Sequence, residues 1–134
     1  MGNIFFAQAR NFKEVAFMVK IETHLGVIEI SHEFFANLVG YVASGCFGVS
    51  GMATSGAVDG LKQLLSVRRT LDKGVRVRAV DNKLVIDLHI VVSFGVNISA
   101  IVKSIVNKVK YTVEDATGLE VSAVNVYVDS MTAQ

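Results

Sequence analysis

The chain has no proline and a single cysteine, Cys46, in 134 residues. Without proline, glycine is left to punctuate the elements. One cysteine excludes an internal disulfide and points to a reducing compartment. No apolar run approaches the roughly 18 to 20 residues that cross a bilayer, so no transmembrane segment is expected. The first 18 residues lack both a basic n-region and a continuous apolar core, which makes a poor secretion signal. Met1-Gly2 opens like a myristoylation site, but Phe6 stands where that motif needs Ser or Thr. Thirteen Lys and Arg balance twelve Asp and Glu, leaving +1, so net charge singles out no partner class.

What is present is strong periodicity. From Leu84 to Phe94 the even positions are all apolar, while Asp87, His89 and Ser93 occupy the other parity, the mark of a strand with one buried face. After Gly95 the period becomes helical: Ile98, Ile101, Val102, Ile105, Val109, Val113 and Ala116 form one stripe. Asn97 is its predicted N-cap and Gly118 its stop. Val124, Val126 and Val128 then alternate with Asn125 and Tyr127 in a final strand.

Upstream, Val19–His24 and Val27–Ile30 are strand-like around a bend at Leu25-Gly26, and Ser31 is placed to cap a helix buried through Phe34, Phe35, Leu38, Val39 and Val42. That helix should stop at Gly45. Gly45 to Met52 is expected to be a loop, and Val58, Leu61, Leu64 and Leu65 suggest a short second helix. Gly74 opens a hairpin that turns at Asp81-Asn82 or Asn82-Lys83, with Arg76 or Arg78 opposite Asp87 in a cross-strand ion pair.

These elements predict one α+β domain over 19–134. It is a two-layer sandwich of order β-α-(short α)-β-β-α-β, with the helices on one face of a mainly antiparallel sheet. Residues 1–18 read as an N-terminal extension, with Phe5, Phe6, Ala9, Phe12 and Ala16 at helical spacing. The order fits a ferredoxin-like unit. It also fits a KH-like one, in which Gly45-Cys-Phe-Gly48 would stand at the phosphate-clamping loop.

Chemistry is sparse. His24, His32 and His89 lie on different elements without metal-ligand spacing, and one cysteine cannot build a structural zinc site, so neither metal nor organic cofactor is expected. No nucleophile elbow surrounds Ser50 or Ser55, and Cys46 in a glycine loop suits a small apolar thiol, so no enzyme is expected. The basic cluster Arg68, Arg69, Lys73, Arg76, Arg78 and Lys83 is a candidate contact for an anionic partner. It has no interleaved aromatics for base stacking, and positions 46 and 47 of the GXXG-like loop are uncharged, so nucleic acid is the lesser alternative. Apolar content of 51% exceeds what a two-layer core readily hides, and Phe5, Phe6 and Phe12 are the candidate self-association residues of a homo-oligomer.

Taken in order, Gly26-Val-Ile-Glu-Ile-Ser31, Gly48-Val-Ser-Gly-Met52, Lys73-Gly-Val-Arg-Val77, the block from Leu84 to Gly95 and Thr117-Gly-Leu-Glu-Val-Ser-Ala-Val-Asn-Val126 resemble the alkaline shock protein family of bacterial envelope stress response proteins. The resemblance runs from Lys20 to Asp129. It implies a small non-enzymatic cytoplasmic protein that self-assembles and reaches the membrane periphery through an integral membrane partner. The family defines no catalytic residues, so none is carried over. The Phe-rich first 18 residues depart from its pattern.

Overall fold

The computed structural model describes residues 3–8, 17–53 and 74–133. Strands β1 (Asn3–Gln8), β2 (Phe17–Thr23) and β3 (Gly26–Ser31) form an antiparallel three-stranded sheet in the order β1-β2-β3. The β2–β3 turn has the two-residue length the sequence suggests but sits one position earlier, since Thr23 pairs with Gly26 and His24 and Leu25 lie between them. Helix α1 (His32–Ser44) follows at once, with Ser31 Oγ accepting from the Phe34 amide at 3.2 Å. That bond supplies one of the acceptors a helix start lacks.

The second sheet contains β4 (Val49–Met52), β5 (Val75–Val80), β6 (Lys83–Ser93) and β7 (Val121–Thr132), and α2 (Ile98–Thr117) joins β6 to β7. β6 is its centre. β5 pairs antiparallel with the first part of β6 and β4 with the last part, while β7 runs parallel along the opposite edge. The sheet is therefore mixed, as a helix crossover between neighbouring strands requires.

Turn chemistry explains the registers. Asp81 and Asn82 both adopt left-handed φ (51° and 62°), and Val80 pairs with Lys83, a two-residue hairpin turn of the kind these residue types favour. Asn97 Oδ1 accepts from the Ala100 amide to start α2. Gly118 ends it in the left-handed region at φ 71°, where its amide reaches the Glu114 carbonyl.

Both helices pack on one face of the second sheet. Phe35, Ala36, Val39 and Ala43 of α1 and Ile101, Ile105, Val109 and Val113 of α2 meet the even-numbered residues Leu84 to Val92 of β6, with Val19, Ile21, Val75 and Val77 completing the core. The stripes are narrower than periodicity implied. Phe34, Ile98 and Ala116 point to solvent, because one flanks the buried line and the others occupy terminal turns.

Two expectations are corrected. Residues 3–8 form a strand paired with β2, with Phe5 opposite Lys20 and Phe6 opposite Val19, where helical spacing suggested a helix. A helix this short is marginal by itself, and an available strand edge offers its backbone regular partners. Residues 49–52, expected in a loop, form β4, held by pairing with the edge of β6 despite weak intrinsic preference. The short helix expected around Val58 to Leu65 lies outside the described residues.

Candidate functional site

The face of the second sheet turned away from the helices has no helix over it among the described residues. It carries the odd-numbered side chains of β6 with their neighbours on β4, β5 and β7, and three polar groups stand among the half-buried Val85 and Val91.

The first surrounds Asp87, which is only 9% exposed despite its charge. Asn125 lies opposite it in the parallel register and donates from Nδ2 at 2.8 Å. Arg76 is its antiparallel neighbour, yet the ion pair comes diagonally from Arg78, at 3.3 Å to Oδ2. The cross-strand pair foreseen from the hairpin thus exists, with the arginine one position further along the same face. Because the Asn125 bond is short and shielded whereas Arg78 is half exposed, their contributions should differ. Asn125→Ala is expected to cost about 1.5 to 3 kcal/mol and Arg78→Ala under about 1 kcal/mol, measured by urea denaturation.

The second group is His89, Tyr127 and Asp129. His89 and Tyr127 face one another in register, and their rings stack at 4.8 Å with 16° between planes. Asp129 is the extra residue of a β-bulge: Ile90 pairs with Val128 and Val91 with Ser130, leaving Asp129 without a partner position. A bulge re-aims its side chain. Here the carboxylate accepts from His89 Nδ1, with oxygens at 3.0 and 3.1 Å. The His89 backbone is fixed as well, since its amide donates to Gly74 and its carbonyl accepts from Ala53. β4 therefore ends and β5 begins on either side of His89.

The third group is hydroxylic: Ser50 Oγ lies 3.0 Å from Ser93 Oγ and 2.7 Å from Thr132 Oγ1. None of these bonds reaches His89. Sequence reasoning placed Tyr127 and His89 on the outer parity but could not align them, because their meeting depends on the parallel register and the bulge.

The sequence-derived candidates are distributed differently. Of the basic cluster, Arg68, Arg69 and Lys73 lie outside the described residues. Arg76 is exposed on β5, Arg78 is engaged by Asp87, and Lys83 pairs with Glu120 at 3.3 Å, so the last two cations are already met by carboxylates. Phe5 and Phe6 are placed in β1, and Phe12 lies outside the described residues. Cys46 is buried, and its thiol donates to the Val42 carbonyl at 3.4 Å. The Gly45–Gly48 loop leads from a helix directly to a strand, and the amides of Gly45, Cys46 and Val49 already donate to Tyr41, Ala43 and Cys46 carbonyls. Those three amides are not available to clamp a phosphate backbone, and the loop stands between a helix and a strand where a KH loop would join two helices. Among the described residues no group of three or more His, Cys, Asp or Glu side chains could hold a metal. No helix among them is long and apolar enough to cross a membrane.

A helix-backed sheet with an open, internally bonded polar face defines the class: a small α+β domain whose exposed chemistry lies on strands. The chain belongs to the alkaline shock protein-like family, described by a cell envelope-related function, whose pattern matches residues 20–133. It is 38% identical over 114 residues to the Bacillus subtilis protein YloU, covering 84% of this chain and 94% of that one. It is 40% identical over 113 residues to the Streptococcus pyogenes protein Spy1614, covering 84% and 93%. Among solved structures it is similar to MamM CTD H264E at a TM-score of 0.42 and 18% identity, over 76% of this chain and 94% of that one.

Proposed function

We propose that this protein is a non-enzymatic adaptor of the envelope stress response, binding an integral membrane partner at the cytoplasmic face through its open sheet face. The observation that carries this reading is the preorganised row Asp87, Asn125, His89, Tyr127 and Asp129. Its side chains are held by one another before any partner arrives, which lowers the ordering cost of association. Tyr127, 48% exposed, supplies an amphipathic contact of the kind enriched at interfaces.

The non-enzymatic part of the proposal follows the family resemblance, which defines no catalytic residues. His89 and Asp129 form a base-and-orienter pair, but among the described residues no hydroxyl or thiol is hydrogen-bonded to His89 as a nucleophile. Nucleic-acid binding is the weaker alternative, since Arg78 and Lys83 already engage carboxylates. Assembly into a homo-oligomer belongs to the proposed function as well, with Phe5, Phe6 and Phe12 as its candidate contacts.

A photo-crosslinking residue in place of Tyr127 is the direct test, with the same replacement at Tyr41 on α1, which is 82% exposed, as the comparison. Crosslinking in cells should join position 127 to a membrane-fraction protein, and Asp129→Ala should weaken it. Crosslinks from position 41 alone, or none from position 127, would reject the proposed docking face.

A further inference from the structure

One end of the molecule carries large apolar side chains open to solvent. Phe47 is 90% exposed, Phe94 71%, Met131 57% and Ile98 48%. They come from different elements yet gather at the end where β6 and β7 finish. The Ser93 amide donates to the Gly48 carbonyl and the Phe94 amide to the Thr132 carbonyl, both at 2.9 Å. Gly48 also sits directly against Ile101 and Val96, which seats the Phe47 turn on the first turns of α2.

The tip itself is uncharged, and the nearest exposed charge on its helical side is a cation. Residues 45–53 and 93–102 contain no charged side chain. The first charge on α2 is Lys103, exposed, followed by exposed Lys108 and Lys110, and no carboxylate appears on the helix before Glu114. At 1.5 Å per residue Lys103 stands about 7 to 8 Å along the axis from Ile98, within the Debye length of about 8 Å at physiological salt. Asp129 is close in sequence, but its carboxylate is held by His89 on the outer sheet face.

We propose that this tip docks directly on an anionic bilayer surface, with Phe47 and Phe94 entering the headgroup and acyl boundary and Lys103 lying among the lipid phosphates. Apolar side chains projecting from turns, with the exposed Lys103 just behind them, suit that interface. They suit a second copy less well, because a two-fold contact through the same tip would bring each Lys103 toward its own image. The cell envelope-related description of the family agrees with such a surface. The tip and the open sheet face are separate surfaces, so either assignment can fail without the other.

The test uses the full chain in co-sedimentation with vesicles of mixed phosphatidylglycerol and phosphatidylcholine, and with phosphatidylcholine alone. Wild-type protein should partition onto the anionic vesicles. The double variant Phe47→Ser and Phe94→Ser should lower partitioning by about ten-fold or more, and Lys103→Gln by about five-fold. Both phenylalanines are exposed, and circular dichroism melting verifies that the variants remain folded. Absence of binding to anionic vesicles, or binding unchanged by the double variant, would overturn the proposal. So would a dimer seen by light scattering and lost in the double variant without any vesicle binding, which would make a second copy the occupant.

Discussion

Replacing Gly74 with alanine is expected to destabilise the protein by about 3 kcal/mol, combining left-handed backbone strain with the cost of overpacking. Gly74 has φ 75°, where a side chain is strained in any surroundings. A Cβ there would also lie 2.6 Å from the Ala53 carbonyl oxygen and 2.9 Å from that of His89. Both obstacles are backbone atoms, and the His89 carbonyl already accepts from the Ala53 amide, so neither can swing aside as a flexible side chain would. Gly51 is the natural control, because an added Cβ there meets nothing within 4 Å and φ is not positive. Gly51→Ala should fall within about 0.5 kcal/mol of wild type. Urea denaturation of the two variants checks the pair, and equal midpoints would show that the junction beside His89 is not the constraint described.

The second large effect is expected at Phe35. Its ring is fully buried between α1 and the sheet and touches Phe34 edge-on, with centroids 5.7 Å apart. Truncating a buried phenylalanine removes its transfer free energy and leaves a cavity, so Phe35→Ala should cost about 3 to 5 kcal/mol. Phe34 is the informative neighbour. It is 43% exposed, and Phe34→Ala should cost at most about 1 to 1.5 kcal/mol, since its apolar area is only partly removed from water. Denaturation of both variants would therefore separate adjacent residues of identical type by burial alone.

Legibility in the sequence followed the range of the interaction. Ser31, Asn97 and Gly118 act within a few residues of themselves and each is found where its local chemistry placed it, while the hairpin turn takes Asp81-Asn82, the first of the two positions its residues allowed. The buried parity of β6 was equally plain, because one strand displays its own alternation. β4 was not legible, since its four residues gain strand geometry only from the edge of β6. Nor was the strand at Asn3–Gln8, whose spacing mimics a helical stripe until β2 is beside it. The candidate site shows the same limit. Asp87, His89, Asn125 and Tyr127 could be assigned to a face, but the parallel register that aligns them spans an intervening helix. The shift that turns Asp129 onto His89 is a one-residue irregularity with no proline or glycine to announce it.

The parallel pairing of β6 and β7 also bears on the order in which the chain acquires its structure. The β5–β6 hairpin closes over two turn residues, a contact that forms with little loss of chain entropy. Leu84 meets Val121 only after the whole of α2 has been traversed, so that contact carries a far larger loop-closure cost. Until β7 arrives, one edge of β6 presents unpaired backbone groups beside a strand rich in Leu, Ile and Val, the type of surface that pairs readily with another chain. The polar row of the open face is thus assembled in two stages. Arg78 can find Asp87 early within the hairpin, whereas Asn125, Tyr127 and Asp129 reach their partners only when the last strand docks, which makes an intact row a marker of completed folding.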